Sequence, residues 1–247
     1  MMKPVALVLV TVALVVTSLC GSAIAQNADP LLAAKKGRKY YESRKEIVWE
    51  VPTKDKVIAL TFDDGPDPHY TPQLAALLKQ YNAKATFFVV GSRVKKFPNI
   101  VRALSKDGHE IGNHTQNHPD LRRISSIKLE EEISKANQTI RTVTGNTPSL
   151  FRPPGGYYSE SLVHVAKKMD NLVIMWSWHQ DTRDWSNPGV KKIVNKVLTN
   201  ARNGDIVLFH DNGGRQTVEA IKKILPELHQ KGYQFVTVSD LLKRNQK

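Results

Sequence analysis

Residues 57–67 read VIALTFDDGPD. An apolar and β-branched run of strand length, unbroken by alternation, is what a strand buried on both faces looks like. Gly65-Pro66 then closes it with a turn. Between run and turn stand two adjacent carboxylates, Asp63 and Asp64. In isolation such a pair can be a bend in which Asp side chains bond their own backbone. At the C-terminal end of a parallel strand it sits where α/β proteins collect their reactive groups.

Working outward, further short β-rich runs lie at 85–90, 109–113, 149–152, 172–177, 205–209 and 234–238. Segments of helical period alternate with them at 71–81, 125–144, 159–169, 189–201 and 217–232. Thr71 and Ser125 suit N-caps, Pro72 suits a first helical turn, and Gly145 and Gly232 suit C-terminal stops. Repeated β/α units predict an α/β fold of one domain, a parallel barrel rather than a sandwich. An open doubly wound sheet is the alternative that periodicity does not separate from it.

The 247 residues, 40% hydrophobic and 24% charged, have globular proportions and suffice for one good-sized core. The single cysteine, Cys20, lies inside the N-terminal apolar run, so disulfide frameworks and thiolate metal clusters are excluded. Any metal must be held by His, Asp or Glu. Residues 1–25 have the layout of an export signal, with Lys3, an apolar stretch and AIA at 23–25; an uncleaved anchor and a lipidated Cys20 are the rival readings. Each puts the catalytic region outside the cytoplasm, either secreted, associated with the wall or anchored by this segment.

Net charge is +13, concentrated in part in KKGRKYYESRK at 35–45. Residues 26–54 therefore read as a basic linker before a domain at 55–243. The charge serves solubility or attraction to an anionic cell-wall polymer. No motif supports nucleic-acid binding. Membrane contact is expected only through an uncleaved N-terminus, and a monomer is expected.

Five polar clusters follow the strand ends: TFDDGPD (61–67), HTQNHPDL (114–121), RPPGG (152–156), DTRDW (181–185) and IVLFHD (206–211). His114 and His118, four apart, can present two imidazoles to one side of a turn, and with one carboxylate they make a divalent-metal set with positions left open. The H-x-x-x-H spacing alone is a weak signal. Beside a metal, the Asp pair can divide its labour, one residue ligating and one accepting a proton from the attacking water. His109 would point elsewhere from its strand as a structural histidine, and most of His69, His164, His179 and His229 read as surface or packing residues.

In this order and at these separations, the five clusters resemble the motifs of polysaccharide deacetylases with a NodB-homology domain, carbohydrate esterase family 4, from about Val57 to Leu242. The resemblance implies a distorted (β/α) barrel of seven or eight parallel strands. It implies removal of N-acetyl groups from amino sugars of peptidoglycan or chitin-like oligosaccharides, with zinc, Co2+ or another divalent ion as cofactor. Asp63 would be the general base; Asp64, His114 and His118 would hold the metal. His210 would be the general acid, tuned by Asp184, and Arg152 would bias the charge of Asp63. Trp185 and Leu208 would wall the acetyl pocket. Where the family often carries an aromatic residue after the two prolines, this chain has Gly155, and Tyr157 or Tyr158 is the residue available to rebuild that groove wall. Hydrolysis of another small amide and a catalytically silent wall-binding role are the alternatives.

Overall fold

The computed structural model describes residues 36–244. Strand β2 (Val57–Asp63) is buried along its whole length, as its apolar run predicts. Its two faces meet different surroundings. Ile58, Leu60 and Phe62 pack under the helices, with Phe62 5.0 Å from Phe87 and 5.6 Å from Phe209, ring to ring. Val57 and Ala59 join Phe88 and Ile174 in a separate cluster. Because side chains alternate along a strand, Thr61 and Asp63 share the face of Ala59.

Around β2 the chain runs through β3 (Thr86–Val89), β4 (Glu110–Asn113), β5 (Leu150–Phe151) and β6 (Leu172–Ile174) on one side and β7 (Ile206–His210) on the other. A first short strand, β1 (Ile47–Val48), pairs with β6, so seven parallel strands curl in the order β1-β6-β5-β4-β3-β2-β7. A last strand, β8 (Gln234–Phe235), pairs in parallel with the start of β2. The gap between the two ends of this order, β1 and β7, is spanned by the irregular chain that follows β6: Ser177 N donates to Ile206 O at 3.0 Å, and Asp181 bridges to Leu208. This closure makes the (β/α) barrel a distorted one, in a single α/β domain.

Helices α2 (Tyr70–Gln80), α5 (Ser126–Thr144), α6 (Glu160–Lys168), α7 (Val190–Asn200) and α8 (Arg215–Gln230) follow the periodic segments to within two residues at either end. Ser125 caps α5 by accepting from Lys128 N, and Gly145 ends it at φ +81°. Thr71 is different: it lies inside α2, which starts after His69, and its hydroxyl accepts from Asp67 N in the preceding loop and donates to Asp211, 140 residues away. Shorter helices at 91–96, 98–106 and 238–244 complete the layer. The run 234–238 pairs only at its first two residues, because Thr237 turns the chain into the last helix by accepting from Asp240 N.

The basic linker is corrected over its described part. Residues 38–43 are helical, β1 follows, and Tyr41, Ile47, Trp49 and Val51 are buried in the core. The apolar residues are interleaved with the basic ones, and Arg38 covers Trp49 while pairing with Glu50 at 2.7 Å. Residues 1–35, with the export signal, lie outside the described residues. Among those described, no helix is long and apolar enough to cross a membrane.

Candidate active site

Asp63 is the last residue of β2, and the strand register sets it beside His210, the last residue of β7. One step on, Asp64 adopts φ +72°, a conformation that side-chain-bearing residues rarely take. The two carboxylates thereby leave the strand in different directions. A cis Gly65–Pro66 bond follows.

Asp63 is claimed by Arg152. That guanidinium is fully buried and reaches Asp63 Oδ1 at 2.8 Å, Thr61 Oγ1 at 2.7 Å, Met175 O at 2.7 Å and Ile174 O at 3.2 Å, with the Phe88 ring 4.2 Å away. A buried cation is tolerable only when paired and hydrogen-bonded, and here both conditions hold. Thr61, two residues before Asp63 and on its face, was not singled out in the sequence; the period of two is the signal that identifies it.

Asp64 faces a different pair. Its Oδ1 lies 3.3 Å from His114 Nε2 and 3.2 Å from His118 Nε2. His114 donates from Nδ1 to Arg152 O at 2.7 Å, which leaves its Nε2 lone pair free to ligate. Asp64 Oδ1 is buried without a hydrogen-bond partner. Burial works to raise the Asp64 carboxyl, but the two imidazoles outweigh it and hold the group well below the usual carboxylate range. One carboxylate and two imidazoles converging on an unpartnered oxygen fit a divalent cation.

The loop carrying the histidines is pinned from behind. Thr115 and His118 both have positive φ, and His118 N donates to Thr115 Oγ1 at 3.0 Å. Asn113 accepts from Thr115 N at 2.7 Å, and buried Glu132 on α5 accepts from Asn117 N at 2.7 Å. Such backbone strain, of about 1–3 kcal/mol per residue, persists only where the surroundings over-determine it.

His210 donates from Nδ1 to Asp184 Oδ1 at 2.7 Å, while Asp184 Oδ2 accepts from His210 N at 2.8 Å and from the Thr217 hydroxyl. Burial pulls the imidazole down, but Asp184, with help from Asp63 and Asp64, pushes it up to about 9. Its Nε2 is left as a proton donor at neutral pH. Leu208 shares the His210 face and is buried; Trp185 is 65% exposed on the same rim. At Gly155, φ +66°, an added Cβ would lie 2.8 Å from the Tyr157 ring, so that ring occupies the space an aromatic at 155 would need. Arg122 lies 5.2 Å over it. Tyr158 is instead buried against Tyr41 and Trp49, so only Tyr157 is available for the groove wall.

His109 is buried, accepts from Ala85 N and is pushed down to about 4 by burial, as suits a structural histidine. Asp211, which sequence reasoning did not assign a role, is fully buried behind the rim, and burial pushes its carboxyl up to about 7.

A family model described as polysaccharide deacetylase matches residues 50–174. The chain is 52% identical over 208 residues to a peptidoglycan-N-acetylglucosamine deacetylase of Bacillus cereus, covering 83% of this chain and 97% of that one. It is 40% identical over 191 residues to the peptidoglycan-N-acetylmuramic acid deacetylase PdaC of Bacillus subtilis, covering 77% of this chain and 40% of that one. The crystal structure of the Bc1960 peptidoglycan N-acetylglucosamine deacetylase, in complex with 4-naphthalen-1-yl-N-oxidanyl-benzamide, superposes with a TM-score of 0.79 at 35% identity, covering 83% of this chain and 97% of that one.

Proposed function

Because this chain belongs to the polysaccharide deacetylase family and is an enzyme of that class, we propose that it hydrolyses the N-acetyl amide of N-acetylglucosamine in peptidoglycan. Asp63 acts as general base, His210 as general acid, and Asp64, His114 and His118 hold a divalent cation such as Zn2+. The observation that carries this reading is the pairing of Asp63 with His210 in register, each with a fixed partner of opposite charge, beside the unpartnered oxygen of Asp64.

An amide has a poor leaving group, so the site must deprotonate water and protonate nitrogen. When bound, the cation supplies Lewis-acid chemistry, polarising an acyl oxygen and acidifying water. Arg152 holds Asp63 in place by a buried hydrogen bond, aimed to take a proton. Asp184 fixes the Nδ1–H tautomer of His210 and holds the imidazole charged, so Nε2 delivers the proton to the departing amine. Leu208 and Trp185 shelter the acetyl methyl, and Tyr157 offers an aromatic face to the sugar beyond it. The choice of sugar follows the 52% identical relative. Peptidoglycan lies outside the cytoplasm, and the export-signal reading of residues 1–25 supports the same location.

Acetate release from peptidoglycan and from N-acetylated chitooligosaccharides, with and without a chelator, tests the proposal. Release from peptidoglycan, abolished by chelator and restored by Zn2+, is the expected result. Failure to release acetate from either substrate overturns it.

A further inference from the structure

The turn that presents Asp63 and Asp64 is held from beneath by a group that the chemistry above does not use. Asp211 follows His210 directly and is fully buried. Its backbone N–H donates to Asp63 O at 3.1 Å, extending the ladder between β7 and β2 by one bond. Its carboxyl turns toward the loop that follows β2. There Asp211 Oδ2 meets the hydroxyl of Thr71, which is also fully buried. Thr71 Oγ1 already accepts from Asp67 N at 2.7 Å, so its one hydroxyl hydrogen is the one given to Asp211.

The same carboxyl is seated on Gly65. A Cβ on that glycine would fall 2.2 and 2.3 Å from the two Asp211 oxygens, so close approach, and not backbone conformation, requires glycine there. Asp67 completes the zip between the two loops: its Oδ1 accepts from His69 N and Tyr70 N at the start of α2, and its Oδ2 accepts from Gly213 N at 3.4 Å. Residues 65–71 and 211–213 are therefore tied to each other by side-chain contacts. These segments follow Asp63 and Asp64 on one side and His210 on the other.

Burying a carboxyl with one hydroxyl partner is unfavourable. Asp211 Oδ1 has no partner at all among the described residues. An apolar side chain would fill the space without that penalty, but it could not accept from Thr71 while resting on Gly65.

We propose that Asp211 is a positioning residue, which, through Thr71 and Gly65, sets the placement of Asp63 and Asp64 relative to His210. The role rests on the proposed deacetylase reading for its kinetic readout and on the ligand set for a second, independent one.

The test compares wild type with D211A, D211N and T71V in two measurements: steady-state acetate release from N-acetylated chitooligosaccharide, and Zn2+ affinity by calorimetry, with thermal unfolding confirming that each variant is folded. Removing a partner that orients such groups typically lowers activity or metal affinity about 10–100-fold. D211A and T71V are therefore expected to lose kcat by about tenfold or more at nearly unchanged KM, and to bind Zn2+ about tenfold more weakly. D211N keeps an acceptor for the Thr71 hydroxyl and should recover most of both losses. A folded D211A or T71V with wild-type kcat and Zn2+ affinity overturns the proposal, as does a D211N as damaged as D211A. Should D211A fail to fold, T71V decides. An inactive wild type counts against the deacetylase reading, and the Zn2+ measurement then still decides the role of Asp211.

Discussion

Two clusters in this molecule bring together the same kinds of side chain. At the rim, Asp64 meets His114 and His118; at the start of β7, Asp205 meets His179 and Glu50. Within each the groups are close, with His179 Nε2 2.9 Å from Asp205 Oδ1. What differs is who supplies positive charge. Arg38 already sits on Glu50, and Asp205 Oδ2 accepts from Gln180 Nε2 at 3.0 Å and Arg202 N at 2.8 Å. At the rim the nearby cation, Arg152, is committed to Asp63, and Asp64 is left to two imidazoles. Ligand types and spacing therefore do not distinguish a cation site from an internal ion pair. The separate assignment of the guanidinium, to Asp63 and not to Asp64, is the difference on which the proposed cation site rests.

The largest effect that would break this contrast comes from Asp64→Ala. It should abolish tight Zn2+ binding in calorimetry together with acetate release, because it removes the only carboxylate of the set. Asp63→Asn comes next: a lost general base lowers the rate by about 10²–10⁴-fold. Metal content by atomic emission should stay at the wild-type level, and a variant that lost its metal would show that the two aspartates do not divide their roles.

A third carboxylate–histidine pair, Asp184 with His210, extends the comparison to proton affinity. Because His210 is raised to about 9, it is charged at neutral pH and loses its proton as pH rises through that value. Its contribution to stability is full below the unfolded pKa, near 6.5, and is lost over the same rise. An NMR titration of the chelated protein should show this midpoint. Asp184→Asn should move it down toward the ordinary histidine range, and Zn2+ at the rim should lower it in the same direction. The smallest effect belongs to the second cluster. His179→Ala should leave both Zn2+ stoichiometry and kcat within about twofold of wild type, as changes away from a reacting centre do when the fold survives. A fall in stoichiometry would erase the contrast.

Much of this is legible in the sequence alone. The unbroken apolar run at 57–62 becomes a strand buried on both faces, and Ser125 and Gly145 bound a helix as their chemistry requires. Rim residues were legible because they follow strand ends in recognisable clusters. The first described residues were misread because Tyr41, Ile47 and Trp49 are diluted among lysines and arginines, and average polarity hides a periodic apolar minority. Thr71 looked like a helix cap since threonine before proline has that local meaning; its partner Asp211 lies 140 residues away. Local patterns carry local bonds. Arg152 reaching Thr61, or Asp211 resting on Gly65, depends on which strands become neighbours, and register is not written in either segment alone.

The pairing of Asp63 with His210 across β2 and β7 has a consequence for how the site fails. The two groups face each other across one rung of a hydrogen-bonded ladder, with Asp211 N–H closing it above. Strands in a sheet keep a spacing of about 4.7–4.9 Å. The backbones of Asp63 and His210 can part only if β7, buried although it ends the strand order, separates from β2, and buried core strands open at free energies near that of global unfolding. The Asp211 amide should therefore be among the slowest to exchange with deuterium. Heat inactivation should coincide with loss of the fold, without an earlier phase in which an intact barrel holds a loosened site.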